Sequence, residues 1–209
     1  SSLMSEVVQS EFPEHNVSIL SGPSFAKEVA DGLPAALNIA CVDQQIAQKI
    51  VASFKGSNIS LSITKDIIGA QIAGSMKNVI AIGCGIAAGL GLGLNFTSAL
   101  LTQGIKEMGD LAEIKGGKRE TLLELCGIGD TVLTCLSKES RNHSFGYKLG
   151  QGKSIETLLA ESKTVTEGYA SAKSIYNLSK LHGLSLILCT KIYDILYNNH
   201  PVESIREGL

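Results

Sequence analysis

The sequence predicts an α+β fold in which a short α/β part is followed by an all-helical part. Apolar runs of strand length alternate with helically spaced segments only in the first third of the 209 residues, and after Thr64 the strand signals stop. Such alternation is typical of a parallel or mixed sheet with covering helices. With 44% hydrophobic residues, the chain has enough apolar side chains for a core in one or two domains. We place the boundary after residue 63, which gives domains of residues 1–63 and 64–209.

The α/β part contains three predicted helices and three predicted strands. Helical spacing over residues 3–12 is followed by a short apolar strand over residues 17–20. The later elements alternate in the same way, with a helix over residues 25–30, a strand over 35–42, a helix over 44–54 and a strand over 59–63.

The second part is predicted to consist of helices alone, because its apolar residues follow a helical spacing. The predicted helices cover residues 66–88, 97–114, 121–125, 140–150, 154–161, 167–182, 190–198 and 202–207. We find no internal repeat and no low-complexity linker between them.

Charge and cysteine usage argue against several classes of protein. A net charge of -2 and a pI near 6.1 give no general electrostatic reason to expect nucleic acid or an anionic membrane as partner. The five cysteines lack a paired spacing, which is typical of buried thiols in a reducing compartment, and the four dispersed histidines indicate no metal site. The amino end lacks the pattern of a signal peptide, so we expect a cytoplasmic protein.

An uncharged, glycine-rich stretch over residues 79–94 raises the alternative of a membrane span. The spacing of Gly85 and Gly89 is found at contacts between transmembrane helices. However, glycines weaken a helix in water, and the apolar run is shorter than the roughly 20 residues needed to cross hydrocarbon. We therefore expect no membrane span.

Lys77 is the single formal charge between Asp66 and Lys106 and lies among small or apolar residues. Removing an ammonium from water is costly and lowers its pKa, so such a lysine either pairs with a carboxylate or exchanges protons near neutral pH. The alternative is a lysine that snorkels from the edge of a core helix. Its neighbours one turn away are mostly small, which leaves a groove for a substrate or for the backbone of another helix.

Gly22, Pro23 and Ser24 form a predicted turn between an apolar strand and a helix. Free N–H groups at a helix start, together with a serine hydroxyl, suit an anionic or polyhydroxylated small molecule. Simple capping of the helix is the alternative.

Three further junctions carry polar side chains. Asp130 follows glycines into a helix, where it is either an ordinary helix-start acid or the partner of a lysine or a substrate hydroxyl. Ser140, Arg141 and Asn142 offer hydroxyl, guanidinium and amide donors that fit a phosphate group, although a solvated helix start explains them equally well. Residues 165–168 form another loop-to-helix junction, for which capping is again the alternative.

Residues 83–88 match the glycine fingerprint of dinucleotide-binding sites letter for letter. A functional fingerprint follows a strand and opens a helix within a βαβ unit, whereas this run continues a helical segment. We therefore assign it no cofactor role.

Taken in order, these motifs resemble those of the bacterial NAD(P)-dependent glycerol-3-phosphate dehydrogenases. The resemblance covers nearly the whole chain and rests on Gly22-Pro-Ser-Phe-Ala-Lys-Glu28, Lys77-Asn-Val-Ile-Ala-Ile-Gly83, Gly127-Ile-Gly-Asp130, Thr134-Cys135, Ser140-Arg-Asn142 and Glu167-Gly168. It implies the remnant of a Rossmann-type α/β domain followed by an all-α substrate domain. It also implies reversible hydride transfer between NAD or NADP and the pair dihydroxyacetone phosphate and glycerol 3-phosphate, which supplies the phospholipid backbone.

The resemblance assigns roles to individual residues. Lys77 matches the family's proton acceptor, which protonates the developing C2 alkoxide during ketone reduction and needs a pKa drawn toward neutrality. Positions that match substrate contacts are Gly22, Ser24, Lys77, Asp130, Ser140, Arg141 and Asn142. Positions that match cofactor contacts are Ala26, Arg141, Val165 and Glu167. Because these enzymes are commonly dimers, a homodimer is implied as well.

The chain departs from the family pattern at its start. Family members begin with a nucleotide-binding unit that carries a glycine-rich phosphate loop, and no residue before Ser21 supplies one. A basic substrate residue expected just upstream is missing too. We therefore expect a truncated chain that binds nicotinamide poorly and turns over little, if at all. Thr131, where relatives often carry leucine, is a minor difference.

Two other functions fit parts of the same pattern. A related two-domain ketone reductase, of the hydroxyacid or ketopantoate type, has the same plan, although the phosphate-fitting residues 140–142 argue against it. A non-catalytic helical domain would use the glycine-rich helix as a self-association surface.

Overall fold

The computed structural model describes residues 3–161 and 166–207. Within them, a three-stranded sheet with covering helices precedes a part that is entirely helical. The sheet has the order β1-β2-β3, where β1 is Ser18–Ser21, β2 is Ala35–Cys41 and β3 is Ile59–Thr64. β1 runs antiparallel to β2, and β2 runs parallel to β3, so the sheet is mixed. The division into domains at residues 63 and 64 stays a prediction.

The helices lie close to the predicted ranges, apart from a helix at Asp130–Leu136, for which no range was predicted. Three belong to the first part: α1 (Met4–Glu11), α2 (Ala26–Ala30) and α3 (Gln44–Ser53). Seven follow the sheet: α4 (Ile67–Gly89), α5 (Gly93–Ile114), α6 (Asp130–Leu136), α7 (Arg141–Gly150), α8 (Ile155–Glu161), α9 (Glu167–Leu181) and α10 (Ile187–Tyr197).

Two predicted helices are not α-helical. The stretch over residues 121–125 is replaced by a 3₁₀ turn at Arg119–Leu123 and a single π turn at Leu125–Gly129, which leads directly into α6. The last predicted helix is a 3₁₀ turn at Val202–Arg206. Glycines at 127 and 129 weaken regular α-helix in the first stretch. The second stretch is only five residues long, and short helical pieces of this length are often 3₁₀.

Two helices start earlier than predicted, at Gly93 instead of 97 and at Ile187 instead of 190. The start of α10 is stabilised from outside by Glu107, a buried residue of α5 whose carboxylate accepts hydrogen bonds from the N–H groups of Leu188 (2.7 Å) and Cys189 (3.0 Å). A carboxylate at a helix amino end satisfies donors that have no partner within the helix. This partner comes from a residue 81 positions away, so no local pattern announces it.

α4 is the centre of the helical core. Asp66 begins it by accepting hydrogen bonds from the N–H groups of Gly69 and Lys118, both at 2.8 Å. Met76, Ile80 and other apolar side chains of α4 are fully buried, because α5, α6, α7 and α9 all pack against it. A helix that is apolar on every side is expected to be enclosed in this way.

α4 is long and apolar enough by composition to cross a membrane, but 72% of its most apolar window is buried inside the fold. The core helix of a globular protein passes the same compositional test. Within the described residues, the neighbouring helices supply the apolar surroundings that a bilayer would otherwise provide.

α4 and α7 approach so closely that backbone touches backbone. At four glycines a Cβ would collide with a carbonyl oxygen of the other helix: Gly85 and Gly89 on α4, and Gly146 and Gly150 on α7. Beyond Lys77, therefore, the small-residue surface of α4 accepts the backbone of α7. Gly85 and Gly89 are therefore covered by the same chain, while the alternative of a self-association domain stays a prediction.

All five cysteines are buried and free, as their spacing indicated. Burial raises the pKa of the Cys126 thiol to about 12 and that of Cys189 well above its usual range. The fingerprint-like run over residues 83–88 lies inside α4, which agrees with its rejection as a cofactor loop.

Candidate active site

Lys77 of α4 forms an ion pair with Asp130, the first residue of α6. The lysine Nζ lies 2.5 Å from Oδ2 of the aspartate. The lysine side chain is 21% exposed and the aspartate side chain only 5%, so the pair opens to solvent on the side of the ammonium. The two residues are 53 positions apart in sequence, and the packing of α6 against α4 brings them together.

Asp130 is held from several directions. The hydroxyl of Thr134 lies 2.7 Å from the carbonyl oxygen of Asp130 and 3.3 Å from its Oδ1. Burial raises the pKa of the Asp130 carboxyl, while the Lys77 ammonium, the Thr134 hydroxyl and the Gly22 backbone lower it. Burial is the largest of these effects, and we therefore expect the net shift to be upward.

The burial of Asp130 predicts a pH-dependent stability. Because its pKa is raised only in the folded protein, the folded state binds more protons than the unfolded chain between the two pKa values. The contribution of Asp130 to the free energy of unfolding is thus greatest below the unfolded pKa of roughly 4 and falls as pH rises through the folded value. When the free energy of unfolding is measured in urea at several pH values, the wild type should lose more stability than Asp130→Asn as the pH rises from about 4 to about 7. If the two proteins showed the same dependence on pH, the pKa of Asp130 would not be raised.

The turn that follows β1 lies next to Asp130. Gly22 has a φ of +153°, and a Cβ there would lie 3.0 Å from the Cα of Leu37, so the turn requires glycine. Its backbone also helps to lower the pKa of the Asp130 carboxyl. Ser24 and Ala26, the other predicted contacts on this turn, are exposed.

A second polar cluster begins at the residue after the lysine. Asn78 donates from Nδ2 to Oε2 of Glu167 at 3.1 Å and accepts at Oδ1 from Nδ2 of Asn142 at 2.9 Å. The Asn142 Oδ1 in turn accepts from the N–H of Gly168 at 2.9 Å, and Nη2 of Arg141 lies 3.4 Å from Oε1 of Glu167. This network joins the starts of α7 and α9 to the middle of α4.

Ser140 is buried and caps α7, because its hydroxyl accepts a hydrogen bond from the N–H of His143 at 3.2 Å. Its side chain thus caps the helix, although the residue is buried and not at a solvated helix start as the alternative required. Val165, a predicted cofactor contact, lies outside the described residues.

The sequence assigned no role to two residues of the site, Asn78 and Thr134. Both stand inside the motifs quoted above, and Thr134 lies one helical turn after Asp130. That spacing was the available signal for Thr134, whereas the partners of Asn78 come from distant helices.

Two family models match the chain. The one described as NAD-dependent glycerol-3-phosphate dehydrogenase C-terminus covers residues 66–207, and the one described as the N-terminus of the same enzyme covers residues 1–47.

Similar proteins agree with this assignment. Glycerol-3-phosphate dehydrogenase (NAD(P)+) of Maricaulis maris is 41% identical over 208 residues, which are 100% of this chain and 62% of the relative. The enzyme of the same name from Rhodospirillum rubrum is 40% identical over 206 residues, covering 99% of this chain and 59% of the relative.

The crystal structure of glycerol-3-phosphate dehydrogenase from Coxiella burnetii superimposes with a TM-score of 0.93 at 35% identity, over 97% of this chain and 62% of that one. This likeness confirms the predicted architecture of an α/β remnant followed by a helical part. The chain spans about three fifths of the length of the relatives it matches. On these matches, the chain belongs to the NAD(P)-dependent glycerol-3-phosphate dehydrogenase family.

Proposed function

We propose that this chain supplies the substrate-binding and proton-transfer part of an enzyme that reversibly reduces dihydroxyacetone phosphate to sn-glycerol 3-phosphate with NADH or NADPH. The observation that carries the proposal is the Lys77–Asp130 pair, whose carboxylate is buried while the ammonium opens to solvent. Family membership supports this substrate over that of a hydroxyacid or ketopantoate reductase.

Lys77 is the proposed proton donor and acceptor. As the carbonyl carbon C2 gains a hydride, its oxygen takes a proton from Nζ, and in the reverse direction Nζ takes the proton of the C2 hydroxyl. The Asp130 carboxylate positions the lysine and compensates its charge in the buried surroundings. Because the lysine is 21% exposed, it can exchange its proton with solvent between turnovers.

Arg141 is the proposed ligand of the substrate phosphate. Its guanidinium lies at the amino end of α7 and is 59% exposed, so it is accessible to a phosphate, which arginine binds with two parallel donors. Ser140 supports this position as the cap of α7. The Asn142 side chain already binds Asn78 and Gly168, which leaves one of its N–H groups for the substrate.

The proposed cofactor contacts within the described residues are Ala26, Arg141 and Glu167. All three are exposed, and the guanidinium and carboxylate fit the phosphate and hydroxyl groups of a dinucleotide. When bound, the nicotinamide supplies the hydride. We further propose a cytoplasmic homodimer without a membrane span that serves phospholipid synthesis.

The experiment compares two substrates with the encoded full-length protein. Reduction of dihydroxyacetone phosphate should exceed that of dihydroxyacetone by about a hundredfold or more in kcat/KM, because charge-assisted hydrogen bonds to the phosphate are lost. The assay follows NADH or NADPH absorbance at equal substrate concentrations. Equal rates would remove the phosphate site, and no reduction of either ketone would overturn the proposed activity.

A further inference from the structure

The proposed phosphate ligand Arg141 already faces a carboxylate in this structure. Its Nη2 lies 3.4 Å from Oε1 of Glu167, and both side chains are 59% exposed. Most exposed ion pairs of this kind contribute little to stability, because water and salt screen them. The same screening leaves the pair open to displacement by a more highly charged ligand.

Glu167 is more firmly placed than an ordinary surface acid. Its second oxygen, Oε2, accepts a hydrogen bond from Nδ2 of Asn78, a buried residue of α4. The next residue, Gly168, donates its N–H to Asn142, and a Cβ at Gly168 would lie 2.6 Å from the carbonyl oxygen of Asn78. The start of α9 is therefore fixed against α4, and the Glu167 carboxylate is held beside the guanidinium.

The other charged groups nearby do not replace Glu167. Lys148 and Glu161 line the depression between α7 and α8 together with Arg141. Glu161, however, pairs with Lys153 at 3.1 Å. Among the described residues, Glu167 is the carboxylate within ion-pair distance of Arg141.

We propose that Glu167 lowers the anion affinity of the phosphate site by competing for Arg141. This inference rests on the proposed function and deepens it. A phosphate that binds Arg141 must first displace the Glu167 carboxylate, so the free energy of the ion pair is subtracted from that of phosphate binding. Every anion that binds Arg141 displaces the same carboxylate, so Glu167 weakens the binding of each by the same factor.

The test uses Glu167→Gln in the encoded full-length protein. Glutamine keeps an oxygen for Asn78 and removes the charge, so the dissociation constant for inorganic phosphate at about pH 8 should fall about two- to fivefold, the range expected for one exposed ion pair. Binding of glycerate, a monoanion, should improve by about the same factor, because glycerate must displace the same carboxylate. Isothermal titration calorimetry measures both.

Two further variants separate competition from other effects. Glu161→Gln, which removes a carboxylate from the same depression, should change phosphate affinity less than twofold, because Lys153 already neutralises it. Arg141→Ala should abolish the gain from Glu167→Gln. A gain that persists without Arg141, or weaker phosphate binding in Glu167→Gln, would overturn the competition.

These outcomes also separate the inference from the function it rests on. Tight phosphate binding by the wild type with no gain in Glu167→Gln would reject the role of Glu167 and leave the proposed substrate intact. Failure of the wild type to bind phosphate would reject the phosphate site, and with it this inference.

Discussion

Replacing Lys77 by alanine is expected to lower the turnover of dihydroxyacetone phosphate by about a hundredfold or more in the encoded full-length protein. The physical reason is that the C2 oxygen then lacks a positioned proton donor while the hydride arrives. The measurement is kcat at saturating ketone and cofactor, taken well below the unfolding temperature of the variant. Turnover retained within a few fold would remove Lys77 from the mechanism.

The same substitution also affects stability, because it leaves Asp130 without its cation. The carboxylate is 5% exposed, and removing one partner of a buried pair costs up to about 3–5 kcal/mol. Because Lys77 is 21% exposed and Asp130 can take up a proton, we expect a value at or below the lower end of that range.

A double variant keeps the two effects apart. Lys77→Ala combined with Asp130→Asn removes both charges, so it should regain stability over the single variant while its turnover stays low. Lys77→Arg is a second control, since arginine keeps a cation beside Asp130 but does not release a proton at neutral pH. Recovery of turnover in either variant would show that the loss came from unfolding.

The partnership of Lys77 with Asp130 illustrates what the sequence could predict. The lone charge in an apolar helix indicated either a carboxylate partner or a snorkelling side chain, and both remained open because a 53-residue separation carries no distance information. The motif order then pointed to the family, which the comparisons show. The cluster around Asn78 was not predicted, because its partners start two later helices, α7 and α9.

The fold, too, could be predicted from the sequence only where it depends on local patterns. Helical spacing located α4 and α9 to within a residue or two, because a long apolar period is a local property. The antiparallel direction of β1 was left open, since alternation of helix and strand does not encode strand direction. The early start of α10 depends on the hydrogen bond from the N–H of Leu188 to Glu107. This tertiary contact overrides the local helix propensity.

Gly85→Ala is expected to destabilise the folded protein by about 3 kcal/mol, at the upper end of the usual cost of overpacking. A Cβ at this position would collide with the carbonyl oxygen of His143, and it would lie 2.8 Å from the backbone nitrogen of Tyr147. These are backbone atoms of α7, which cannot rotate away as a side chain would, so the two helices must separate. Urea unfolding of the encoded full-length protein measures the change.

Gly74→Ala is the matched control on the same helix. The nearest atom to a Cβ there is the Ser21 hydroxyl at 3.9 Å, so the added methyl group has room. Alanine should then stabilise the protein by roughly 0.5–1 kcal/mol, because it restricts the unfolded chain more than glycine does. The opposite signs exclude helix propensity as the cause, since both substitutions change it equally.

Gly85→Ala should also weaken substrate binding. Arg141 begins α7, so separation of α7 from α4 moves the proposed phosphate ligand away from Lys77. We therefore expect a higher KM for dihydroxyacetone phosphate in Gly85→Ala at temperatures where the variant is still folded. Equal stability of the two variants would show that α4 and α7 do not meet backbone to backbone.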